Sequence, residues 1–313
     1  MCRIDGIKPA NLRLFLNKPF GVHLNLAKTI VTTLMIIGAQ SICCCLGAEN
    51  PADLHISTDI CYSTVGNQPL HLDLIRLPAK SPQPLIICIH GGGWGAGTKH
   101  DMLEMSLGLA KVGYCVANVD YRLAPKNRFP AAVSDVKSAL KYLKDHAQEL
   151  KIDAKRIAVI GSSAGGHLAL MLATTTQDID SIKASSSSNP TPIRAAVSIA
   201  GPTDLSAPLP HQSELVVESF IGKKRAEAPE VCREASPIVF VNRNSAPILF
   251  IHGDRDEIVP YKQSVDMLAA CKKAGVVSEL VTLHNRGHAD GGDPKENEAA
   301  IRTMVNFLAQ NLK

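Results

Sequence analysis

The stretch Arg156-Ile-Ala-Val-Ile-Gly161-Ser162-Ser163-Ala164-Gly165-Gly166-His167 runs from a short apolar segment straight into Gly-x-Ser-x-Gly and then into a helical period. An apolar run of this length, bounded by glycine, fits a strand covered on both faces, and Ala164–Thr175 continues at helix spacing. Small residues on both sides of Ser163 permit a sharp strand-to-helix turn that lifts a serine hydroxyl out at the end of a sheet. Serine at a helix start is also a common cap. With a strand and a helix both flanking it, Ser163 is read instead as a nucleophile on a strained turn.

The same alternation extends outward from this segment. Continuous apolar runs at 85–89, 113–119, 156–161, 195–200, 247–253 and 279–283 alternate with helical periods at Met102–Lys111, Ala131–Leu150, Ala164–Thr175, Lys262–Ala274 and Lys295–Leu312. Strand, helix, strand order of this kind predicts a mostly parallel central sheet with helices on both faces. Two alternating stretches, His55–Thr64 and Leu70–Leu77, flank the turn residues Gly66-Asn67 and predict an antiparallel hairpin at the N-terminal edge. The fold class is therefore α/β. Two long segments, 176–193 and 203–236, interrupt the pattern; loops of this length in a compact domain usually serve as lids or binding loops.

The 313 residues include 45% hydrophobic and 20% charged positions, which excludes a disordered, collagenous or coiled-coil chain. Residues 1–48 hold five of the 33 basic side chains and one of the 29 acidic ones, so the remainder is balanced. Without a basic surplus, nucleic acid is not an expected partner. The basic start, the apolar run Ile30–Leu46 and the small pair Gly47-Ala48 predict an export signal, with a membrane anchor through residues 30–46 as the alternative. A single catalytic domain is expected over residues 49–313. Of nine cysteines, four lie in the leader; Cys61, Cys88, Cys115, Cys232 and Cys271 show no short metal-ligand spacing. Cys88 and Cys115 sit inside apolar strands, where a thiol acts as a small hydrophobe.

Chemistry gathers where the strands end. After the run at 85–89 comes His90-Gly91-Gly92-Gly93-Trp94-Gly95, whose glycines let backbone N–H groups approach a developing oxyanion. Gly91 and Gly92, with Ala164, are the expected donors. A phosphate-binding loop is disfavoured, because the G-x-G-x-x-G spacing is not met. A serine nucleophile needs a base and an orienting carboxylate, which this kind of sheet supplies in the order Ser, Asp/Glu, His. His252-Gly253-Asp254-Arg255-Asp256-Glu257-Ile258-Val259-Pro260 offers Asp256 as the acid, with Asp254 as the alternative nearer the strand end. His284-Asn285-Arg286-Gly287-His288 offers His288 as the base, after a glycine that lets the loop bend inward; His284 is read as still within the strand.

These residues carry a resemblance. His90-Gly-Gly-Gly-Trp94, Asp120-Tyr-Arg-Leu-Ala-Pro125, Phe129-Pro130 with Asp135, Gly161-Ser-Ser-Ala-Gly-Gly-His167, Gly201-Pro-Thr-Asp-Leu205 and His252-Gly-Asp-Arg-Asp256 occur in this order over most of residues 85–290. The chain resembles the alpha/beta-hydrolase fold. Within it, the likeness is to hormone-sensitive-lipase-like carboxylesterases, especially the bacterial group related to feruloyl and acetyl-xylan esterases. The resemblance implies Ser163, Asp256 and His288 as a catalytic triad and Gly91, Gly92 and Ala164 as the oxyanion hole. It also implies hydrolysis of small-molecule or polysaccharide-linked esters through an acyl-enzyme, with no metal or organic cofactor. An arylformamidase-like amidase on the same scaffold is the alternative. Tyr121 and Arg122 are expected to brace the oxyanion loop, His167 to be a packed or solvent-facing neighbour and Asp204 a cap. Trp94 is expected either to line the substrate site or to close the edge of the core.

Overall fold

Alternation at period two gives each central strand two apolar faces, and a computed structural model shows what covers them. It describes residues 54–175, 193–288 and 292–313. On β3 (Gln83–Ile89), Leu85, Ile87 and Ile89 pack to one side of the sheet and Ile86 and Cys88 to the other. On β5 (Ile152–Ser162), Ile157 and Val159 face one way, Ala158 and Ile160 the other. Strands buried on both faces need helices on both faces. α1 (Leu103–Lys111) and α7 (Pro294–Asn311) cover one side, with Leu109, Met304 and Phe307 in its core. α2 (Ala131–Asp145), α3 (Ala164–Thr174) and α6 (Lys262–Ala274) cover the other through Val136, Leu168 and Met267.

The eight strands lie in the order β1-β2-β4-β3-β5-β6-β7-β8. β1 (His55–Val65) and β2 (Gln68–Arg76) form the expected hairpin, antiparallel to each other, and β2 is antiparallel to β4 (Cys115–Val119). From β4 across β3, β5, β6 (Ile193–Ile199), β7 (Ile248–Gly253) and β8 (Ser278–Leu283), every pairing is parallel. Chain reversal by helical crossovers therefore places the C-terminal ends of β3 to β8 along one edge of the sheet. Ser163, His90, Tyr121, Asp256 and His288 all follow those ends.

Three details differ from the sequence expectation. The helix predicted over 131–150 stops at Asp145, because the chain must double back to begin β5; Ile152 donates to the Ala147 carbonyl and Lys151 takes φ 52°. The segment 203–236 is not an irregular loop but carries α4 (His211–Ile221) and the short α5 (Pro229–Glu234). Ser213, Val217, Phe220 and Ile221 form the buried face of α4 at helical spacing. His284 lies just outside β8, which ends at Leu283. The expected leader at 1–48 and most of the insertion at 176–193 lie outside the described residues.

The five described cysteines are all free thiols, and Cys88, Cys115, Cys232 and Cys271 are buried. Burial pushes Cys88 and Cys115 up to about 12 and Cys271 up to about 11, which keeps these thiols neutral packing groups.

Candidate active site

The turn after β5 is tight because backbone passes backbone there. An added Cβ at Gly161 would lie 2.0 Å from the Gly165 carbonyl oxygen, and one at Gly165 would lie 2.1 Å from that of Ile89. Only glycine fits either position. Between them Ser163 is forced to φ 53°, ψ −120°, and its side chain makes no capping bond to the helix it precedes. A non-glycine residue in this region stores about 1–3 kcal/mol of strain, held here by the packed β5–α3 junction. The Ser163 N–H donates to the Ile199 carbonyl at 2.7 Å, tying the turn to β6.

The strained hydroxyl meets the residues that the sequence nominates from two other strand ends. Ser163 Oγ is 2.9 Å from His288 Nε2, and His288 Nδ1 is 2.7 Å from Asp256 Oδ2. A carboxylate only accepts, so Nδ1 carries the proton and Nε2 presents a lone pair to the serine hydroxyl. The other carboxylate oxygen, Oδ1, accepts the N–H groups of Ile258 and Val259, both at 2.8 Å. Burial alone would push the Asp256 carboxyl up, but hydrogen bonds from His252 and His288 outweigh it and hold it well below the usual carboxylate range. The carboxylate is thus ionised at neutral pH while its side chain is fully buried.

The competing acid goes elsewhere. Asp254 accepts the Asn285 N–H at 2.7 Å and faces His284 Nδ1 at 3.2 Å, forming a separate pair with an exposed histidine. Two histidines and two aspartates therefore sort into two couples, and only Asp256–His288 reaches Ser163.

The glycine loop lies against the same serine. A Cβ placed on Gly91 would sit 3.4 Å from Ser163 Cβ. Gly92 closes the loop on itself, its carbonyl accepting from Gly95 and Ala96 at 3.1 and 3.0 Å. The Tyr121 hydroxyl reaches the His90 and Gly91 carbonyl oxygens at 3.1 and 3.2 Å, and its ring stacks on His90 at 4.2 Å. This is the brace expected of Tyr121. Arg122 does something else: its guanidinium grips the Asp135 carboxylate, at 2.7 Å for the closest pair, and so anchors the strand end to α2 rather than to the loop.

Trp94 belongs to the core edge. It is 3% exposed, stacks on Phe220 of α4 at 4.3 Å and donates to His167 Nδ1 at 3.2 Å. His167 Nε2 donates in turn to the Ala235 carbonyl at 2.7 Å, so both ring nitrogens are engaged in the core, and burial lowers this imidazole to about 4 and keeps it neutral. Asp204 accepts the Ser206 N–H within its own turn, as expected of a local cap. Among the described residues, no cluster of three or more His, Cys, Asp or Glu side chains is arranged to hold a metal ion.

The sequence reading gave no role to His252, which is fully buried beside Asp256, with Nε2 3.1 Å from Oδ2. The signal available was its spacing: a histidine at the end of β7, four residues before the acid.

The family model BD-FAE matches residues 72–270, from β2 to α6. The chain belongs to the BD-FAE family. Esterase LipC of Mycobacterium tuberculosis is 34% identical over 257 residues, covering 77% of this chain and 63% of that protein. Ethyl acetate hydrolase of Pseudomonas putida is 30% identical over 274 residues, 82% of this chain and 83% of that protein. A solved structure described as a truncated carbohydrate esterase from gut microbiota aligns with TM-score 0.69 at 28% identity, over 82% of this chain and 96% of that one. The chain spans about three fifths of the length of the mycobacterial relatives it matches. The BD-FAE chain has the alpha/beta-hydrolase fold, on which its sheet order and its structural neighbour agree.

Proposed function

We propose that this BD-FAE chain is a serine ester hydrolase acting on short acyl, acetyl or feruloyl-type esters through an acyl-enzyme. The observation that carries the proposal is the continuous path from Ser163 Oγ through His288 to Asp256, at 2.9 and 2.7 Å. In the first half-reaction His288 Nε2 takes the Ser163 proton as Oγ attacks the ester carbonyl carbon. The oxygen that gains charge is held by the N–H groups of Gly91, Gly92 and Ala164. Collapse of the tetrahedral species breaks the bond to the alcohol, which leaves with the proton from His288. Water then enters, gives its proton to the same nitrogen and attacks the acyl carbon, and Ser163 leaves with that proton. Asp256 stays ionised throughout, holding the imidazole and offsetting its charge when it is protonated.

Two features favour a small acyl group. Trp94 stacks on Phe220 of α4 at 4.3 Å and Phe129 meets the same ring edge-on at 5.6 Å, so aromatic side chains fill the seam between the oxyanion loop and α4. One relative bears the name of an ethyl acetate hydrolase. The carbohydrate esterase of gut microbiota keeps sugar-linked esters in the proposal. The basic and apolar residues 1–48 add export, or anchoring through residues 30–46, which N-terminal sequencing of fractionated cells tests. The decisive experiment is a panel of nitrophenyl esters of rising chain length, acetylated xylan, methyl ferulate and an aryl formamide. Fastest turnover on acetyl to butyryl or feruloyl esters is the expected result. Preference for the formamide, or for long acyl chains, would overturn it.

A further inference from the structure

We infer that His252 is a positioning residue that fixes the Asp256 carboxylate for His288, and that Ser264 sets the tautomer in which it does so. This rests on the triad reading above and extends it to a second histidine that never meets the substrate.

Proton counting fixes the tautomer of His252. His252 Nε2 lies 3.1 Å from Asp256 Oδ2 and 2.9 Å from the Val259 carbonyl oxygen. Neither a carboxylate nor a carbonyl can donate, so Nε2 must carry the hydrogen and share it between the two oxygens. Nδ1 is 2.7 Å from Ser264 Oγ at the start of α6. The serine hydroxyl therefore donates to Nδ1 and holds the ring in its Nε2–H form. His252 and Ser264 are both fully buried, so water does not compete for either bond.

The carboxylate is saturated as a result. Oδ1 accepts two backbone N–H groups, and Oδ2 accepts one N–H from His288 and one from His252. The backbone donors locate one oxygen. Both oxygens turn together about the Cβ–Cγ bond, so the two imidazoles on Oδ2 hold from the far side the same angle that the backbone donors hold at Oδ1. His252 Nε2–H also donates to the Val259 carbonyl while the Val259 N–H donates to Asp256 Oδ1, so the turn Asp256–Val259 is held by the ring at its C=O side and by the carboxylate at its N–H side. Besides Asp256, the Tyr261 ring stands edge-on at 5.7 Å, and Ser264 and Val259 complete the polar surroundings among the described residues.

Two consequences separate positioning from packing. Removing the His252 N–H leaves Oδ2 with one donor, so the carboxylate draws more strongly on His288 and the acid limb of the rate profile moves to higher pH. Restoring an N–H at the same place without an imidazole restores the profile. Glutamine carries its amide nitrogen close to the position of Nε2, whereas leucine keeps much of the volume and offers no donor.

The experiment compares wild type, His252→Gln, His252→Leu and Ser264→Ala by thermal unfolding, by steady-state kinetics on a nitrophenyl ester across pH, and by rate of fluorophosphonate labelling. For His252→Leu, kcat is expected to fall about 10- to 100-fold with KM within about twofold, and the acid limb of kcat/KM to rise. His252→Gln is expected to recover most of kcat and the wild-type limb. Ser264→Ala, which leaves the imidazole in place, is expected to lose a fewfold in kcat with the limb displaced in the same direction; this variant decides the matter if His252→Leu does not fold. Unchanged kcat and limb in folded His252→Leu, equal damage in the glutamine and leucine variants, or a Ser264→Ala variant identical to wild type would each overturn the proposal. Wild type that fails to label at Ser163 would sink the triad reading itself. Labelling of wild type with unaffected variants sinks only the role of His252.

Discussion

Replacing Tyr121 by phenylalanine isolates the geometry of the oxyanion loop from its chemistry. In a trans peptide the C=O and the following N–H point in opposite directions. A donor that fixes the Gly91 carbonyl therefore also aims the Gly92 N–H, and one that fixes the His90 carbonyl aims the Gly91 N–H. The Tyr121 hydroxyl touches both carbonyls, at 3.2 and 3.1 Å. His90 Nδ1 holds the Gly91 carbonyl as well, at 2.8 Å. Tyr121→Phe thus strips one of two anchors from one peptide and the hydroxyl from the other, while the ring stack on His90 remains.

The magnitudes follow from that division. Loss of one buried hydrogen bond costs about 0.5–1.5 kcal/mol of stability, a shift of about 2–6 °C in melting temperature for a domain this size. Deleting an oxyanion donor outright costs about 10²- to 10³-fold in kcat; two donors that are loosened but present should cost about tenfold. Because the carbonyl oxygen gains its charge only in the transition state, KM should stay within about twofold. Steady-state kinetics on nitrophenyl butyrate read the first effect, and binding of a trifluoromethyl ketone, which forms the same oxyanion, should weaken in step with kcat. A folded variant with kcat within twofold of wild type, or one whose KM absorbs the whole loss, would refute the argument.

Ser163→Ala should abolish turnover by several orders of magnitude and eliminate fluorophosphonate labelling, with unfolding free energy changed by no more than about 1 kcal/mol; retained turnover in purified protein would remove the serine from the mechanism. Asp256→Asn should cripple kcat and Asp254→Asn should leave it near wild type, as the second carboxylate holds the exposed His284 and the Asn285 N–H away from Ser163; steady-state rates of the pair decide, and the reverse order would move the acid. His167, lowered to about 4 by burial, takes up a proton in the unfolded chain below about pH 6.5 but not in the folded one, so its contribution is complete above pH 6.5 and is lost as pH falls toward 4. Chemical unfolding across pH should show up to about 3 kcal/mol of this loss in wild type and a flatter curve in His167→Gln.

How much of this was legible beforehand depended on which interaction fixes each residue. Strands buried on both faces leave an unbroken apolar run in the sequence, so the runs at 85–89, 156–161 and 247–253 mark β3, β5 and β7 to within a few residues. Gly161 and Gly165 are forced by backbone contacts, and Ser163 between them could be read from spacing alone. The choice of Asp256 over Asp254 followed the offset from His252-Gly253, and the geometry separates the two aspartates by partner. What could not be read was which of several possible partners a side chain takes. Arg122 could have braced the loop beside it, yet a carboxylate one crossover away on α2 offers a bidentate partner and takes it. Trp94 was equally compatible with pocket and core until Phe220, well over a hundred residues on, closed over it.

The two long segments illustrate the same limit and show how topology resolves it. In a parallel sheet, each connection leaves from the C-terminal edge of one strand and returns to the N-terminal edge of the next. The segment 203–236 leaves β6 beside Ser163, and its α4 is clamped on both sides of the site. A Cβ at Gly93 would meet Val216 Cγ1 at 2.8 Å, and Ser213 Oγ donates to the Ile258 carbonyl at 2.6 Å, two residues past Asp256. The other segment joins the end of α3 to the start of β6, so its described neighbours Thr175 and Ile193 both lie at the opposite edge of the sheet. Their length made both segments candidates for shaping the pocket in the sequence. Their points of attachment distinguish them: α4 touches the oxyanion loop on one side and the acid loop on the other.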